Sequence, residues 1–156
     1  MSARTAPEPR RLSPTAGPRS TPIVIPRDQR LFVGAVMLAV LSVGGAIISV
    51  AGGLSSTIWE AMGPTGRLSI PIPMMLAQLA AAWLAAGSRR RPALVASALL
   101  ALVEPICVVS GFFDGGYSDP ARSALHVGYQ LLFVAAIGVV GVLAAVRFVS
   151  LLRVRG

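Results

Sequence analysis

Four long apolar runs, separated by short polar breaks, dominate the pattern of hydrophobic and polar positions along this chain. The runs cover residues 31–54, 68–88, 92–113 and 123–146. Three of them contain no charged residue, and the third along the chain contains one, Glu104. A helix needs roughly 20 apolar residues to cross a hydrocarbon core of about 30 Å, and each run has that length. The pattern is therefore typical of a membrane protein with several crossings.

We predict an all-α membrane protein in which four transmembrane helices pack as an antiparallel bundle. The predicted helices cover about 31–54, 70–88, 92–113 and 124–147, within a transmembrane domain of residues 30–147. Residues 1–29 are rich in proline and arginine and contain little that a core could bury, so we predict a disordered tail there. Residues 148–156 are predicted to form a second, short and basic tail.

The arginines predict the orientation of this bundle. All 14 basic residues are arginine, which indicates a GC-rich bacterial genome. With four crossings, both tails and the break at 88–92 share one side, and the opposite side keeps only Arg67 and Arg122. Because basic residues are retained in the cytoplasm, we predict a plasma-membrane protein with both termini cytoplasmic. The basic N-terminal tail is expected to attract anionic lipid headgroups.

The rest of the composition argues against several functional classes. Only 13% of the residues are charged, about half the share in an ordinary soluble domain. The net charge of +8 lies in the tails and breaks, where membrane topology places it, so we predict no nucleic-acid partner. The single cysteine, Cys107, excludes an intramolecular disulfide and a cysteine-based metal site. Because the sequence carries no catalytic, metal or nucleotide motif, we predict a non-enzyme without a cofactor.

Bulky and small residues occupy opposite faces of the third predicted helix. The bulky face consists of Val95, Leu99, Leu102, Ile106, Val109 and Phe113. The small and polar face consists of Ser97, Ala101, Glu104, Val108 and Gly111. In lipid the small and polar face is the packed one, so Glu104 is predicted to point into the protein. Pro105 removes a backbone donor and crowds the preceding turn, which predicts a helix kink there.

Two further patterns concern the first predicted helix and the loop that follows it. Gly45, Ser49 and Gly53 recur at four-residue spacing, which is typical of close helix approach in membranes. Residues 55–62 are compatible with a short interfacial helix capped by a serine.

Four polar residues on inward faces form the only group in the sequence that suggests chemistry. At about 1.5 Å of rise per residue, Glu104, Gln78 and Gln130 reach the outer half of the membrane. His126 and Tyr129 lie above them, with His126 near the interface. A charged side chain at the centre of a membrane helix costs about 2.5–3.5 kcal/mol, which makes Glu104 the most unusual of the four.

Each of these polar residues has a functional and a structural interpretation. Glu104 is either a carboxylate that handles a proton, a cation or a ligand, or a neutral side chain bonded to Gln78 or Gln130. His126 is either a proton relay or ligand contact, or a solvated or capping histidine. The structural interpretation is favoured for both.

Two classes of function therefore remain open. The favoured prediction is an accessory or interaction subunit of the bacterial plasma membrane, without catalytic activity. The alternative is a small oligomeric transporter or channel that uses Glu104. The expected partners are the lipid bilayer and either further copies of this chain or a larger membrane complex.

Overall fold

The computed structural model describes residues 28–64, 68–113 and 123–153, which form five α-helices and no strand. The helices are α1 (Gln29–Ala51), α2 (Ile58–Ala61), α3 (Ile72–Ala86), α4 (Arg90–Phe113) and α5 (Ala124–Arg153). The predicted disordered tail falls almost entirely outside the described residues, as do Arg67 and Arg122.

Three helices, α1, α4 and α5, are long and apolar enough to cross a membrane. The chain is therefore a helical protein suited to a bilayer. The second apolar run gives a shorter helix, because α3 has 15 residues and a length of about 22 Å. Pro71 precedes α3 and Pro73 occupies its first turn, so neither supplies a backbone N–H with which the helix could extend towards residue 68.

The bundle is held together by alanines and branched aliphatic residues. α5 packs against α4 and α1, and α3 packs against α1 and α4. Small side chains let the helix backbones approach closely in lipid. The alanines in the main buried cluster are Ala35, Ala82, Ala85, Ala96 and Ala144. Among the larger members are Leu31, Leu38, Leu100, Ile137 and Val140.

The two predicted faces of α4 are confirmed. All six bulky residues of the predicted lipid face are exposed, from 54% at Leu99 to 84% at Phe113. On the opposite face Ser97 and Glu104 are buried, and the other three residues are half-buried. Pro105 lies inside this helix, which continues past it to Phe113.

All the described arginines lie at one end of the bundle, which we call the arginine end. They are Arg30, Arg89, Arg90, Arg91, Arg147 and Arg153. α1 and α4 begin at this end, while α3 and α5 finish there. The opposite end, where α2 lies, is called the loop end.

Backbone carbonyls at the end of α3 are bonded from two other elements. The N–H of Asp28, which caps the start of α1, donates to the carbonyl oxygen of Ala86 at 3.1 Å. The guanidinium of Arg147 donates to the carbonyl oxygens of Ala85 and Gly87, both at 3.3 Å. These bonds satisfy the orphan acceptors of the last helical turn and place a positive charge at its negative dipole end.

The helix α5 extends to Arg153, beyond the predicted end at 147. Arg147 is 7% exposed, so it lies within the packed bundle and not in a solvated tail. One turn further, Leu151 is buried against Ala93, and its carbonyl accepts two hydrogen bonds from Arg90. The last turns of α5 are therefore part of the folded core.

The short helix α2 lies within the predicted range, but its cap is a threonine. The side chain of Thr57 accepts the N–H of Glu60, whereas the predicted cap was a serine. Ser56 instead donates its hydroxyl and its N–H to the Glu60 carboxylate, at 2.6 and 2.8 Å. Both bonds lower the pKa of Glu60, with the hydroxyl as the larger cause.

Residues 68–71 are non-helical and pack beside α1, with Leu68 and Ser69 buried and the next two residues half-buried; we call them the buried extended segment. Ile70 donates its N–H to the hydroxyl of Ser42 at 2.8 Å. Ser42 lies about 13 Å from the last residue of α1, measured along the helix axis. Gly45 touches the carbonyl of Leu68 so closely that a Cβ there would meet the oxygen. Non-helical backbone at membrane depth needs internal partners, and Ser42 supplies one.

The predicted small-residue series on α1 is correct at two of its three positions. Gly45 and Ser49 are buried, but Gly53 is exposed and lies beyond the helix. α1 ends at Ala51, and Gly53 turns the chain with a positive φ of 71°. That conformation suits glycine, and it explains why α1 stops before the predicted residue 54.

Candidate functional site

Glu104 and Gln78 form a hydrogen-bonded pair between α4 and α3. The Nε2 atom of Gln78 donates to Oε1 of Glu104 at 2.6 Å. Glu104 is 2% exposed, whereas Gln78 is half-buried. The pair thus joins two neighbouring helices with its carboxyl end enclosed and its amide end closer to the protein surface.

Gly141 of α5 packs against the aliphatic part of the Glu104 side chain. A Cβ at position 141 would lie 2.9 Å from the Cβ of Glu104 and 3.7 Å from Cδ of Pro105. Such a distance is below ordinary carbon–carbon contact, so only glycine lets α5 approach α4 at this level. Pro105 also leaves the carbonyl of Ala101 without its usual helical donor.

This arrangement can fasten helices and can hold one proton. A carboxylate–amide hydrogen bond in a low-dielectric interior is stronger than the same bond in water. Glu104 is buried, so its carboxyl group depends on the bond from Gln78 in place of solvation. Cys107, one turn along α4, is half-buried and packs against the main apolar cluster.

Gln130 lies closer to the loop end than the Glu104–Gln78 pair. Its Nε2 atom donates to the carbonyl oxygen of Gly111 at 3.2 Å, and its side chain is 3% exposed. Gly111 is about 10 Å from Glu104 along the axis of α4. Gln130 therefore connects α5 to α4 at a separate level.

His126 lies at the loop end, in the first turn of α5. Its Nδ1 atom accepts hydrogen bonds from the backbone N–H of Ser123 at 3.2 Å and from the Ser123 hydroxyl at 2.8 Å. Because a backbone N–H can only donate, Nδ1 must carry a free lone pair. The neutral ring then holds its proton on Nε2.

The proton-bearing side of the His126 ring faces α1. Within the described residues, Nε2 is buried and has no hydrogen-bond partner. A Cβ at Gly52 would lie 2.2 Å from this nitrogen, so the ring rests directly on the glycine that ends α1. An unsatisfied buried donor of this kind costs about 1–3 kcal/mol.

The four predicted site residues are thus arranged on three levels. The structure brings Glu104 and Gln78 into contact, and places Gln130 and His126 progressively nearer the loop end. Each one bonds to a backbone or side-chain group of this chain. Among the described residues, no group of His, Cys, Asp or Glu is arranged to hold a metal ion.

Two polar residues that connect elements were missed from the sequence. Ser42 binds the buried extended segment, and Arg147 caps α3. Tyr129, which was expected above Glu104, donates its hydroxyl to the carbonyl of Leu41. For Arg147 a signal was present, because the apolar pattern resumes after it with Phe148 and Val149. A solvated tail would not need those residues.

Comparisons of the chain with protein-family models, with curated proteins and with solved structures found no match.

Proposed function

We propose that this protein is an accessory or interaction subunit of a bacterial plasma membrane, without catalytic activity of its own. In this proposal the chain crosses the bilayer four times, with α3 and the buried extended segment together forming the second crossing. Both termini face the cytoplasm. The N-terminal tail lies along the anionic headgroups of the inner leaflet.

The clustering of arginines supports this orientation. Six arginines lie at the arginine end, whereas Glu60 is the charged residue described at the loop end. A cytoplasmic arginine end satisfies the positive-inside rule. The combined length of α3 and the extended segment supports the second crossing, because the segment adds depth to the roughly 22 Å of helix.

The enclosure of Glu104 is the observation that carries the functional proposal. A carboxyl group that exchanges protons or ions normally faces a water-filled cavity or pathway. Here Oε1 is bonded to Gln78, Gly141 packs against the aliphatic part of the side chain, and the side chain is 2% exposed. This geometry supports a structural role in which the carboxyl group of Glu104 fastens α4 to α3. The proposed interaction with a partner would then involve the outer surface of the helices.

Site-specific photo-crosslinking tests the interaction role. A crosslinking amino acid is introduced at Met37 of α1, at Leu102 of α4 and at Val142 of α5, all exposed and apolar. A subunit docked in a complex should crosslink to one protein partner from one of these faces, while the others react with lipid. Lipid adducts alone from all three faces would contradict the proposal.

A transporter or channel remains the second candidate, because Gln78 is only half-buried and brings the polar pair close to the surface between α3 and α4. In an oligomer that surface could border a pathway. The test is proton-linked flux in proteoliposomes. Transport through this site requires that Glu104→Gln abolish a pH-dependent flux shown by the wild type, since an amide cannot titrate.

Reporter fusions test the orientation independently of the function. Fusions at Gly63 and Gly116 should report the external side, and fusions near Arg90 and at Gly156 should report the cytoplasm. An external signal at Arg90 or Gly156 would contradict the four crossings, whatever the crosslinking shows.

A further inference from the structure

The start of α5 is closed by a reciprocal pair of hydrogen bonds between Ser123 and His126. The N–H of His126 donates to the carbonyl oxygen of Ser123 at 3.0 Å. In return, Nδ1 of His126 accepts the N–H of Ser123 at 3.2 Å. In a capping box, the side chain three residues into the helix bonds back to the N–H of the capping residue. Here that side chain is an imidazole instead of the usual carboxylate or amide.

An imidazole can fill this role only in its neutral form. When the ring is protonated both nitrogens become donors, so Nδ1 no longer accepts the N–H of Ser123. The Ser123 hydroxyl can rotate and accept a hydrogen bond from the protonated Nδ1. The backbone N–H of Ser123 can only donate, so it loses its acceptor. A protonated ring would also put a positive charge at the positive dipole end of α5, a helix of 30 residues.

Within the part of the chain that the structure describes, the groups packed around the ring offer little compensation for that charge. The first turn of α5 contains no acidic residue, and the last turn of α1 consists of uncharged residues that end at Gly52. Glu60 of α2 directs its carboxylate at the hydroxyl and N–H of Ser56. The ring also rests on Gly52, so a displacement of His126 disturbs the end of α1 as well.

We propose that His126 is a pH-sensitive cap, which closes the first turn of α5 when the imidazole is neutral and releases it when the imidazole is protonated. The released state frays α5 near Ser123 and loosens its contact with Gly52. The loop end would then change conformation with the acidity of the compartment it faces.

Hydrogen–deuterium exchange of the full-length protein in lipid nanodiscs tests this proposal. Exchange is measured at pH 7.5 and pH 5 and corrected for the intrinsic pH dependence of the amide reaction. Protection of the amides between residues 123 and 130 should fall about tenfold at pH 5 in the wild type, as the cap is lost. The amides of residues 97–104 in α4 serve as the internal reference and should not change.

His126→Gln is the matched variant, because glutamine accepts the same N–H in a capping box and does not titrate. It should retain protection at both pH values. Glu60→Gln removes the carboxylate described at the loop end and serves as a control. Its protection should fall at pH 5 as it does in the wild type. Equal wild-type protection at the two pH values would overturn the proposal, as would a pH response that survives in His126→Gln.

The ring itself provides a readout that needs no variant. In wild-type protein labelled with ¹⁵N-histidine, the only imidazole signals come from His126. At pH 7.5 they should show a protonated Nε2 and an unprotonated Nδ1. A proton on Nδ1 at this pH would overturn the cap, even if the substituted protein failed to fold.

Discussion

Gly141 of α5 lies directly against Glu104 of α4, and the absence of a side chain at position 141 lets the two helices meet at a buried carboxyl group. The Cβ of Glu104 would be 2.9 Å from a Cβ at position 141. Glu104 turns from this contact towards Gln78 on α3. One glycine and one hydrogen bond therefore join three helices at a single level of the membrane.

Gly141→Ala should destabilise the protein by about 1–3 kcal/mol, because the added methyl group overpacks the contact with the Cβ of Glu104. Gly138→Ala is the control. It lies in the same helix, but its new Cβ would meet only the side chain of Val108 at an ordinary 3.8 Å. That variant should be neutral or slightly stabilising. The measurement is the free energy of unfolding in detergent, and equal losses in the two variants would contradict the close contact.

Glu104→Gln should remain folded, because the amide oxygen of glutamine can still accept the hydrogen bond from Gln78. Glu104→Leu should cost roughly 1–2 kcal/mol, since it leaves the Gln78 amide without its partner in the membrane. A double-mutant cycle with Gln78→Leu isolates the interaction. If the Glu104→Leu protein is as stable as the wild type, the fastening role of this pair is wrong.

Ser42→Ala should destabilise the buried extended segment by about 1–3 kcal/mol, because it removes the acceptor for the N–H of Ile70. Ser97→Ala provides the comparison. Ser97 is equally buried, but its hydroxyl donates to the carbonyl of Ala93 four residues earlier in its own helix. The loss of that bond leaves no new orphan donor. The melting temperature of Ser42→Ala should be lower than that of Ser97→Ala. The reverse order would exclude the proposed role of Ser42.

Arg147→Gln should lower stability by about 1.5–3 kcal/mol, because charge-assisted hydrogen bonds to the end of α3 are lost. Arg153→Gln removes the same charge from the same helix, but Arg153 is exposed and should tolerate the change. Arg147→Lys separates charge from geometry, since lysine cannot reproduce the guanidinium fork. Stability is compared by denaturation in one detergent, and a wild-type value for Arg147→Gln would contradict the cap.

The sequence predicted those features that depend on periodicity within one helix. The inward face of α4 followed from the spacing of Ser97 and Glu104, since small and polar residues repeat there every three or four positions. The sequence offered Gln78 and Gln130 as hydrogen-bond partners of Glu104, and the structure shows the bond to Gln78. Both inferences needed only the helical repeat and the preference of lipid for bulky aliphatic residues.

Features that depend on the relative height of two helices could not be predicted in the same way. Gln130 was expected near Glu104, but the depth estimate assumed that all the helices start at one plane. In the structure Gln130, six residues into α5, bonds Gly111, only two residues from the end of α4, so α5 begins farther out than α4 ends. The roles of Ser42 and Arg147 depend on backbone groups of other elements, and no sequence spacing records those pairings.

The bond between Ser42 and Ile70 has a consequence for the order in which the protein assembles. The N–H of Ile70 finds its acceptor on α1, so the second apolar run cannot settle at its final depth on its own. α1 is synthesised first, so the acceptor already exists when residues 68–71 emerge. We expect a chain that lacks α1 to leave the N–H of Ile70 without this partner, and its second apolar run to enter the bilayer less readily.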